Sequence, residues 1–521
     1  MTEAPAKFYV TTPIYYVNDR PHIGHVYTTT LADVMARYQR LRGRDVFFLT
    51  GTDEHAAKVV NAAEERGLST MAWADANAAE FQNTFAKLGM THDDFIRTSQ
   101  DRHVRRVKAC VQQLVDSGDV YEGEYEGWYD AGQEEYIPEN KAKEYEYKSP
   151  FNARPLERRK ERNFFFRLSA YADRLREHIE SNPAFIQPEA RRNEVLARIR
   201  EGLNDTPISR TGSGGWGIQM PGDPEQTIYV WIDALFNYLT TVDTDQRQHY
   251  WPADHHLIAK DILWFHAIIW PAMLMALGRP LPGQVYAHSF WIAEGQKMSK
   301  SLGNFIDLEK IDRYVAEFGL DALRYYLVTQ GPLGSTDADF AHDKFVDVYN
   351  ADLANTLGNC AARVTNMIVR YFDGRVPRPG HPDRNTMDLR HACDGLVERL
   401  DEAYGAVALH NGVEIAMDLI RRIDAYIELT QPFKLAKDES KQDQLATILY
   451  TCAEALRIAS LSLVAVLPDK IQALWLMLGQ DYPLADGDLP RWSQWGQLQP
   501  GGPVSKGVLF PRHEGGDWLT R

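Results

Sequence analysis

Apolar and polar residues along the first part of the chain predict strands and helices in turn. Residues 8–17 are rich in aromatic and β-branched side chains and contain Pro13, which is typical of a strand that runs into a loop. Residues 25–41 have apolar side chains at near-helical spacing, and residues 46–49 form a short apolar run that suits a buried parallel strand. Residues 54–66 have the helical period again. Strands that alternate with helices indicate an open α/β sheet.

The pattern changes near residue 118. Residues 118–163 are dense in Tyr, Glu and Lys and have little apolar period, so we expect the start of an insertion of short strands and loops. The α/β order resumes near residue 227, with an apolar run at 256–259, a helical pattern over 261–277 and a strand-like run over 284–293.

The pattern beyond residue 345 is helical almost to residue 467, with breaks at 373–382 and near Pro432. Consecutive helices of this kind predict a helical bundle. The tail after Pro483 is rich in Gly, Pro and Trp, and we expect it to pack as an irregular extension.

Composition narrows the class of protein. No apolar stretch approaches the roughly 20 residues of a membrane-spanning helix, and no basic leader with an apolar core opens the chain. The four cysteines lie far apart without a CxxC pair, which fits a reducing cytoplasm and argues against disulfides and a thiolate zinc site. A net charge of -15 argues weakly against a nucleic-acid partner. Since one basic face can coexist with an acidic remainder, composition leaves the partner open.

The tetrapeptide HIGH at residues 22–25 lies between the first predicted strand and the first predicted helix. A helix N-terminus attracts phosphate because it carries partial positive charge and unpaired amide donors. His22 and His25 could add donors to a developing pentavalent phosphate, and Gly24 lets a flat base approach the backbone. Alternatively, one histidine simply caps or packs the start of the helix, because four-residue matches are common.

The pentapeptide KMSKS at residues 297–301, called the lysine loop below, is a second candidate. Two lysines, two hydroxyls and flanking glycines suit a mobile loop that grips polyphosphate, with lysine acting as a point charge. The alternative is an ordinary solvated basic loop. Because the loop follows a strand-like run in the second half of the same α/β pattern, the two motifs together are far more specific than either alone.

The two motifs match the HIGH and KMSKS signatures of the class I aminoacyl-tRNA synthetases, which the chain resembles. Further segments look like those of the methionyl-tRNA synthetases: TPIYYVN at 12–18, FLTGTDEH at 48–55, YVWIDAL at 229–235 and ANTLGN at 354–359. The likeness extends from Phe8 to about Pro511. It implies a cytoplasmic enzyme that uses ATP with Mg²⁺ to adenylate L-methionine, and then esterifies the 3′-terminal adenosine of tRNA(Met).

The resemblance also implies roles for the motif residues. The implied catalytic residues are His22, His25, Lys297 and Lys300, and the implied ATP-binding residues are Gly24, Asp261, Ser299 and Ser301. Asp261 resembles a ribose-binding position, although Ala259 stands where the family usually has Gly. Asp261 could instead cap the helix that follows it.

The implied methionine pocket is largely aromatic. Its members by resemblance are Ile14, Tyr16, Asp53, Trp231, Ala234, Leu235, Tyr238, Ile262, His266 and Trp270. Such a wall suits a polarizable thioether, but core packing is the ordinary role of buried aromatic residues. Asp53 resembles the carboxylate that pairs with the substrate ammonium group; Glu54 and His55 compete for that role, and a lone Asp after a strand is often a helix cap.

The segment at residues 121–159 departs from the family, because many relatives carry Cys-based zinc knuckles there. It contains no Cys and no His, so a tetrahedral zinc site cannot be built from it. We therefore expect a metal-free knuckle and no zinc.

The helical region carries the implied anticodon positions, Asn359, Arg363 and Phe433. Amide and guanidinium groups suit the Watson–Crick edges of splayed bases, and an aromatic ring suits stacking. Many relatives have Trp where Phe433 stands; the smaller ring can still stack, so we expect recognition of the CAU anticodon. A plain polar helix face is the alternative for Asn359 and Arg363.

The implied fold is an α/β Rossmann-type parallel-sheet catalytic domain with a connective insertion, followed by an α-helical anticodon-binding bundle; 521 residues are too many for one core. We place the catalytic domain at residues 1–117 and 227–293, the insertion at 118–226, the lysine loop with a stem-contact segment at 294–344, and the helical domain with its C-terminal extension at 345–521. Because the chain leaves no room for the extra C-terminal domain through which some relatives dimerise, we expect a monomer.

Three other hypotheses stay open at this point. The chain could be a class I synthetase for another amino acid, or a small-molecule nucleotidyltransferase with a HIGH-type fold. It could also be a non-catalytic tRNA-binding paralogue, although such a protein need not keep both histidines and both lysines.

Overall fold

The computed structural model describes residues 5–130, 135–137, 139–151, 153–211, 215–293, 295–298 and 304–516. The chain opens with alternating strands and helices, as the apolar pattern predicts. These are β1 (Lys7–Tyr16), α1 (Ile23–Leu41), β2 (Asp45–Asp53), α2 (Ala57–Glu64), α3 (Thr70–Lys87), β3 (Asp94–Arg97) and α4 (Asp101–Asp116).

A hairpin and several small elements follow. They are β4 (Val120–Asp130), β5 (Glu135–Ile137), α5 (Glu139–Glu144), β6 (Glu157–Phe166), α6 (Ala172–Ser181), β7 (Ile186–Gln187), α7 (Glu189–Arg200), β8 (Thr206–Pro207), β9 (Ser209–Thr211), β10 (Gln219–Met220) and β11 (Asp223–Ile228). The strands β4 and β6 are long, not short as the polar composition suggested. Opposite charges face each other across them, as in the Lys160–Glu124 pair at 2.8 Å, and such cross-strand pairs stabilise a ribbon that has little apolar period.

The α/β order then resumes with α8 (Val230–Leu235), α9 (Asn237–Thr240), β12 (His255–Ala259), α10 (Trp270–Ala276) and β13 (Gln284–His288). The single helix expected over 261–277 is interrupted, because residues Lys260–Ile262 form a 3₁₀ turn and Phe265–Ile269 form a π-helical turn before α10. Such π turns often mark functional positions.

The main sheet has six parallel strands in the order β3-β2-β1-β12-β13-β7. The strand order therefore reverses between β1 and β12: the chain moves from β1 towards β3 on one side and from β12 towards β13 on the other. In open parallel sheets, ligands bind in the crevice outside the carboxyl ends of the strands at such a switch point. The strand β7, from the segment expected as an insertion, supplies one edge of this sheet.

The strand-like run over 284–293 divides between two sheets. Its second part is β14 (Trp291–Ala293), which pairs with β15 (Gln296–Lys297) and β16 (Ala338–Asp339) in a separate small sheet. The helices α11 (Leu308–Phe318) and α12 (Leu320–Gln330) lie between β15 and β16 in the chain.

The predicted helical bundle is present. Its helices are α13 (His342–Val348), α14 (Asn359–Tyr371), α15 (Arg384–Ala392), α16 (Leu396–Gly405), α17 (Leu409–Thr430), α18 (Pro432–Leu435), α19 (Gln442–Leu461) and α20 (Pro468–Met477), with a π-helical segment at Tyr349–Gly358. The tail contains a 3₁₀ turn at Leu484–Asp486 and a short α21 (Leu489–Trp492), and is otherwise irregular.

The helix α1 joins the sheet to the bundle. Its buried Asp33 pairs at 2.7 Å with Arg324 of α12, and its Tyr38 stacks on Tyr404 of α16 at 3.8 Å between ring centroids. One hydrophobic core is therefore continuous from α1 into the bundle, which fixes the direction of α1. Among the described residues, no helix combines the length and the apolarity that crossing a lipid bilayer requires.

Candidate active site

A cavity of about 520 Å³ opens at the switch point of the sheet. The carboxyl ends of β1, β2, β12 and β13 and the start of α1 surround it, where an open parallel sheet is expected to bind its ligand. The lining includes thirteen of the expected catalytic and binding residues: Ile14, Tyr16, His22, Gly24, His25, Asp53, Trp231, Ala234, Leu235, Tyr238, Asp261, Ile262 and His266.

The two histidines of the HIGH motif form the start of α1. The backbone N–H of Gly24 donates to His22 Nδ1 at 3.1 Å, and the backbone N–H of His22 donates to His25 Nδ1 at 3.2 Å. Because both Nδ1 atoms accept, each neutral ring carries its proton on Nε2. Burial, helped by the neighbouring His22, lowers the pKa of His25 well below its usual range. His25 thus caps the helix and also keeps an N–H donor, so the two roles considered for it are compatible.

The segment that follows the lysine loop lies against the same helix start. The backbone N–H of Ile23 donates to the carbonyl of Ile306 at 3.2 Å, and His22 forms an isolated antiparallel bridge with Asp307. The Phe305 ring meets the His22 ring edge-on at 5.2 Å. The HIGH motif and the chain directly after the lysine loop, far apart in sequence, therefore meet at one cavity.

The lysine loop itself is only partly described. Lys297 ends β15, whose partner β14 contributes Trp291 to the cavity lining, and Met298 packs against the main core. Ser299, Lys300 and Ser301 lie outside the described residues, so their expected roles stay predictions.

The aromatic rings of Tyr16 and Trp231 form one wall of the cavity, and Phe265, which does not line the cavity, supports Trp231. Trp231 stacks on Phe265 at 4.2 Å with an interplanar angle of 8°, and Tyr16 meets Trp231 edge-on at 5.8 Å. Phe265 begins the π turn after β12, so the interruption of the expected helix places this ring over Trp231. A wall of this kind binds an apolar or polarizable side chain by shape and dispersion.

The polar groups at the end of this wall are bonded to one another. His266 Nδ1 donates to the carbonyl of Ile262 at 3.0 Å, and Tyr238 Oη donates to His266 Nε2 at 2.8 Å. Burial lowers the pKa of His266 to about 4, so the ring is neutral and its Nε2 can accept. Trp270 does not line the cavity but lies behind it, with its Nε1 donating to His256 Nε2 at 3.3 Å and its ring 6.1 Å from that of Tyr238.

Asp53 and Glu54 occupy different environments at the end of β2. Both oxygens of Glu54 are bound by Arg97, at 2.6 and 3.1 Å. Asp53 is 2% exposed, and its Oδ1 has no hydrogen-bond partner among the described residues. Burial, together with the nearby carboxylate of Asp233, raises the pKa of Asp53 well above its usual range. Of these two carboxylates, only Asp53 therefore presents at the cavity an acceptor that lacks a partner among the described residues, as an ammonium site requires.

Several lining residues were missed by sequence reasoning. His288, Ser289, Phe290 and Trp291 line the cavity at the end of β13, opposite Asp261 and Ala259. In the sequence, these residues could have been found from their position shortly before the lysine loop. His288 Nε2 lies 2.7 Å from Thr28 Oγ1 of α1, so the polar pair ties β13 to the helix that starts at the cavity.

The expected anticodon residues lie at one end of the bundle. Asn359 is exposed at the start of α14, and Arg363, one turn on, pairs with Glu428 and lies 3.7 Å from Asp424 of α17. Phe433 is 38% exposed in α18, directly after α17. The Phe433 ring is thus available for stacking, and the Arg363 guanidinium is held by carboxylates of α17.

The knuckle has a small apolar core. Ile137, Ala142 and Leu156 are buried together, and Trp128 packs against Tyr147 with ring centroids 4.5 Å apart. In the described part of the chain, no group of three or more His, Cys, Asp or Glu side chains is arranged to hold a metal ion. The absence of zinc stays a prediction.

Comparisons with known proteins agree with this geometry. A family model described as tRNA synthetases class I (M) matches residues 8–145 and 146–365. The chain is 43% identical to the methionine–tRNA ligase of Halalkalibacterium halodurans, over 98% of this chain and 79% of that protein. It is also 43% identical to the methionine–tRNA ligase of Streptomyces coelicolor, over 97% of each chain.

Solved structures show the same likeness. Mycobacterium tuberculosis methionyl-tRNA synthetase in complex with methionyl-adenylate matches with a TM-score of 0.90 and 38% identity, covering 97% of this chain and 100% of that one. Its free-state structure matches with a TM-score of 0.85 and 35% identity, covering 99% and 100%. The chain therefore belongs to the methionine–tRNA ligases, the methionine family of the class I tRNA synthetases.

Proposed function

We propose that the cavity converts L-methionine and Mg-ATP to methionyl-adenylate and pyrophosphate, and then transfers the methionyl group to the 3′-terminal adenosine of tRNA(Met). One observation supports this most strongly. Three features meet at one cavity: the N–H donors of His22 and His25, the Asp53 oxygen that has no partner in the described part of the chain, and the chain directly after the lysine loop. The M. tuberculosis structure that holds methionyl-adenylate has the same fold, with a TM-score of 0.90.

The methionine side chain lies along Trp231, which stacks on Phe265, with its thioether near Tyr238. Asp53 Oδ1 accepts from the ammonium group, which supplies the hydrogen-bond donor that this buried oxygen lacks. The carboxylate of the bound methionine then points towards the start of α1, whose partial positive charge attracts anions.

In the first step, a carboxylate oxygen of methionine attacks the α-phosphorus of ATP, and the bond to the pyrophosphate oxygen breaks. The Nε2–H groups of His22 and His25 donate to the phosphoryl oxygens as charge develops on them. Lys297 and Lys300 follow the leaving pyrophosphate, with Ser299 and Ser301 as further donors to it. Asp261 and the Gly24 backbone hold the nucleotide; a Cβ at Gly24 would lie 2.9 Å from the His22 ring.

In the second step, a hydroxyl of the terminal adenosine attacks the methionyl carbonyl, and AMP leaves with the electrons of the broken C–O bond. Both steps use positioning and electrostatic stabilisation rather than a covalent enzyme intermediate. Asn359, Arg363 and Phe433 recognise the CAU anticodon. We further propose that the protein acts as a monomer in the cytoplasm, where its four buried free cysteines stay reduced.

Amino-acid-dependent ATP–pyrophosphate exchange tests this function directly. Among the twenty amino acids, methionine should give the highest kcat/KM. A pocket that selects by shape gives a margin of about 10- to 200-fold over side chains that differ by one methylene. Exchange with leucine or cysteine, but none with methionine, would refute the proposed substrate.

His25 should act through its Nε2–H. Because Gln places an amide N–H where Nε2 lies, whereas Asn replaces only the Nδ1 end, His25→Gln should retain more activity than His25→Asn. We expect His25→Asn to lower the kcat of exchange by about 100-fold, the usual effect of losing one transition-state donor, with little change in the KM for methionine. Equal kcat values for the two variants would mean that His25 serves only as a cap.

Arg363 should contribute to tRNA recognition without affecting adenylation. Arg363→Gln is expected to raise the KM for tRNA about tenfold, because a charged donor is lost, and to leave exchange unchanged. The matched control is Arg422→Gln, since Arg422 forms an exposed pair with Asp418 at 2.7 Å on α17. Aminoacylation kinetics measure both variants, and an equal effect of the two would argue against a specific role for Arg363.

A further inference from the structure

A buried carboxylate lies behind the cavity wall between two imidazole rings. Asp233 Oδ2 is 2.6 Å from His55 Nδ1, and its Oδ1 is 2.6 Å from His103 Nε2. The Asp233 side chain is fully buried, and none of these three residues lines the cavity. They come from α8, from the turn after β2 and from α4, so this cluster is assembled by the fold and has no part in the steps derived above.

His55 connects this cluster to the amino-acid site. Its ring donates to Asp233, and its backbone amide is close enough to the carboxylate of Asp53 to lower the pKa of that carboxyl. The other oxygen of Asp53, on the cavity, has no hydrogen-bond partner among the described residues. His55 thus acts on both carboxylates, on Asp233 through its ring and on Asp53 through its backbone amide.

The carboxylates near His55 differ in whether an arginine balances their negative charge. Glu54 is paired with Arg97 of β3 at 2.6 Å, and Arg97 also binds Asp75 of α3. Asp233 has no such arginine among its described partners, which are the rings of His55 and His103. An uncompensated charge on Asp233 would therefore act directly on Asp53.

The pKa directions agree with this geometry. Burial lowers the pKa of His55, but the Asp233 carboxylate outweighs it, and the net shift is upward. Burial raises the pKa of Asp233, but His55 and His103 outweigh it, and the net shift is downward. The His55 ring therefore keeps its charge to a higher pH than an ordinary histidine, opposite an ionised Asp233.

A tryptophan from the inserted segment covers this pair. Trp216 Nε1 donates to the carbonyl of Glu54 at 2.6 Å, and its ring meets the His55 ring edge-on at 5.7 Å. The side chain of His55 is only 8% exposed as a result. With little water nearby, the interaction between the His55 and Asp233 charges is weakly screened.

We propose that His55 is a positioning residue of the amino-acid site, neutralising Asp233 with its ring while its backbone amide aims Asp53 at the substrate ammonium group. Without the positive ring, Asp233 becomes a second negative charge behind Asp53. Asp53 then holds its proton to a higher pH, and a protonated carboxyl cannot form an ion pair with the ammonium group. This inference rests on the proposed function, because Asp53 must receive an amino acid.

The variant His55→Asn removes the positive charge of the ring but keeps a hydrogen-bond donor, because an Asn amide can still donate to Asp233. At pH 7 it should lower kcat/KM for methionine about tenfold in pyrophosphate exchange, with the KM for ATP unchanged. The acid limb of the pH profile of kcat/KM should move up by about one pH unit. A purely structural role for His55 would lower the melting temperature without moving this limb.

Two further variants make the test decisive even if His55→Asn folds poorly. Asp233→Asn removes the negative charge, so the acid limb should move the opposite way, to lower pH. His249→Asn is the matched control, since His249 pairs with Asp45 at 3.0 Å at the far end of β2, and it should leave the limb in place.

The outcomes also separate the inference from the proposed function. A wild-type enzyme with methionine-dependent exchange, but an acid limb that moves in neither His55→Asn nor Asp233→Asn, would overturn the role of His55 alone. An equal shift in His249→Asn would overturn it as well. A wild-type protein without any methionine-dependent exchange would overturn both.

Discussion

The reversal of strand order between β1 and β12 is the constraint on which the site depends. Helices that follow the two strands cover opposite faces of the sheet, so no helix fills the space at the carboxyl ends of these strands. The chain leaves β1 at Tyr16 and starts α1 beside that space, so the positive end of the helix and the side chains of His22 and His25 lie at the cavity. Because α1 is also fixed to the bundle by Arg324 and Tyr404, its histidines have a rigid support.

Several buried polar atoms at the cavity have no hydrogen-bond partner among the described residues, and Asp53 Oδ1 is the one carboxylate oxygen in that set. Tyr238 donates its proton to His266 Nε2, and His266 donates its own to the carbonyl of Ile262, so under the proposed function these two residues offer the ligand shape rather than a free donor. Asp53 keeps one buried oxygen without a partner among the described residues, which is costly unless a cation binds there. Under the proposed function, selectivity for an α-amino acid and selectivity for its side chain thus come from different parts of one cavity.

Sequence patterns were enough to predict the elements whose structure depends on residues close together in the chain. The apolar periods of β1, α1 and β2, and the residues flanking both motifs, place the site from sequence alone. The length of β4 and β6 was not predictable, because their pairing joins residues about forty positions apart, such as Glu124 and Arg162. The π turn that brings Phe265 onto Trp231 leaves no local signal either. The His55–Asp233–His103 cluster joins three elements, and its one sign in the sequence is the acidic Asp233 inside the apolar helix α8.

We propose that the histidines of α1 and the lysine loop act on one triphosphate in this cavity. The decisive measurement is a crystal structure of the protein with methionine and a non-hydrolysable ATP analogue. We expect the Nε2 atoms of His22 and His25 and the ammonium group of Lys300 all to lie within hydrogen-bonding distance of the same triphosphate, with the methionine ammonium on Asp53. A triphosphate bound away from the start of α1, or a lysine loop folded on another surface, would contradict it.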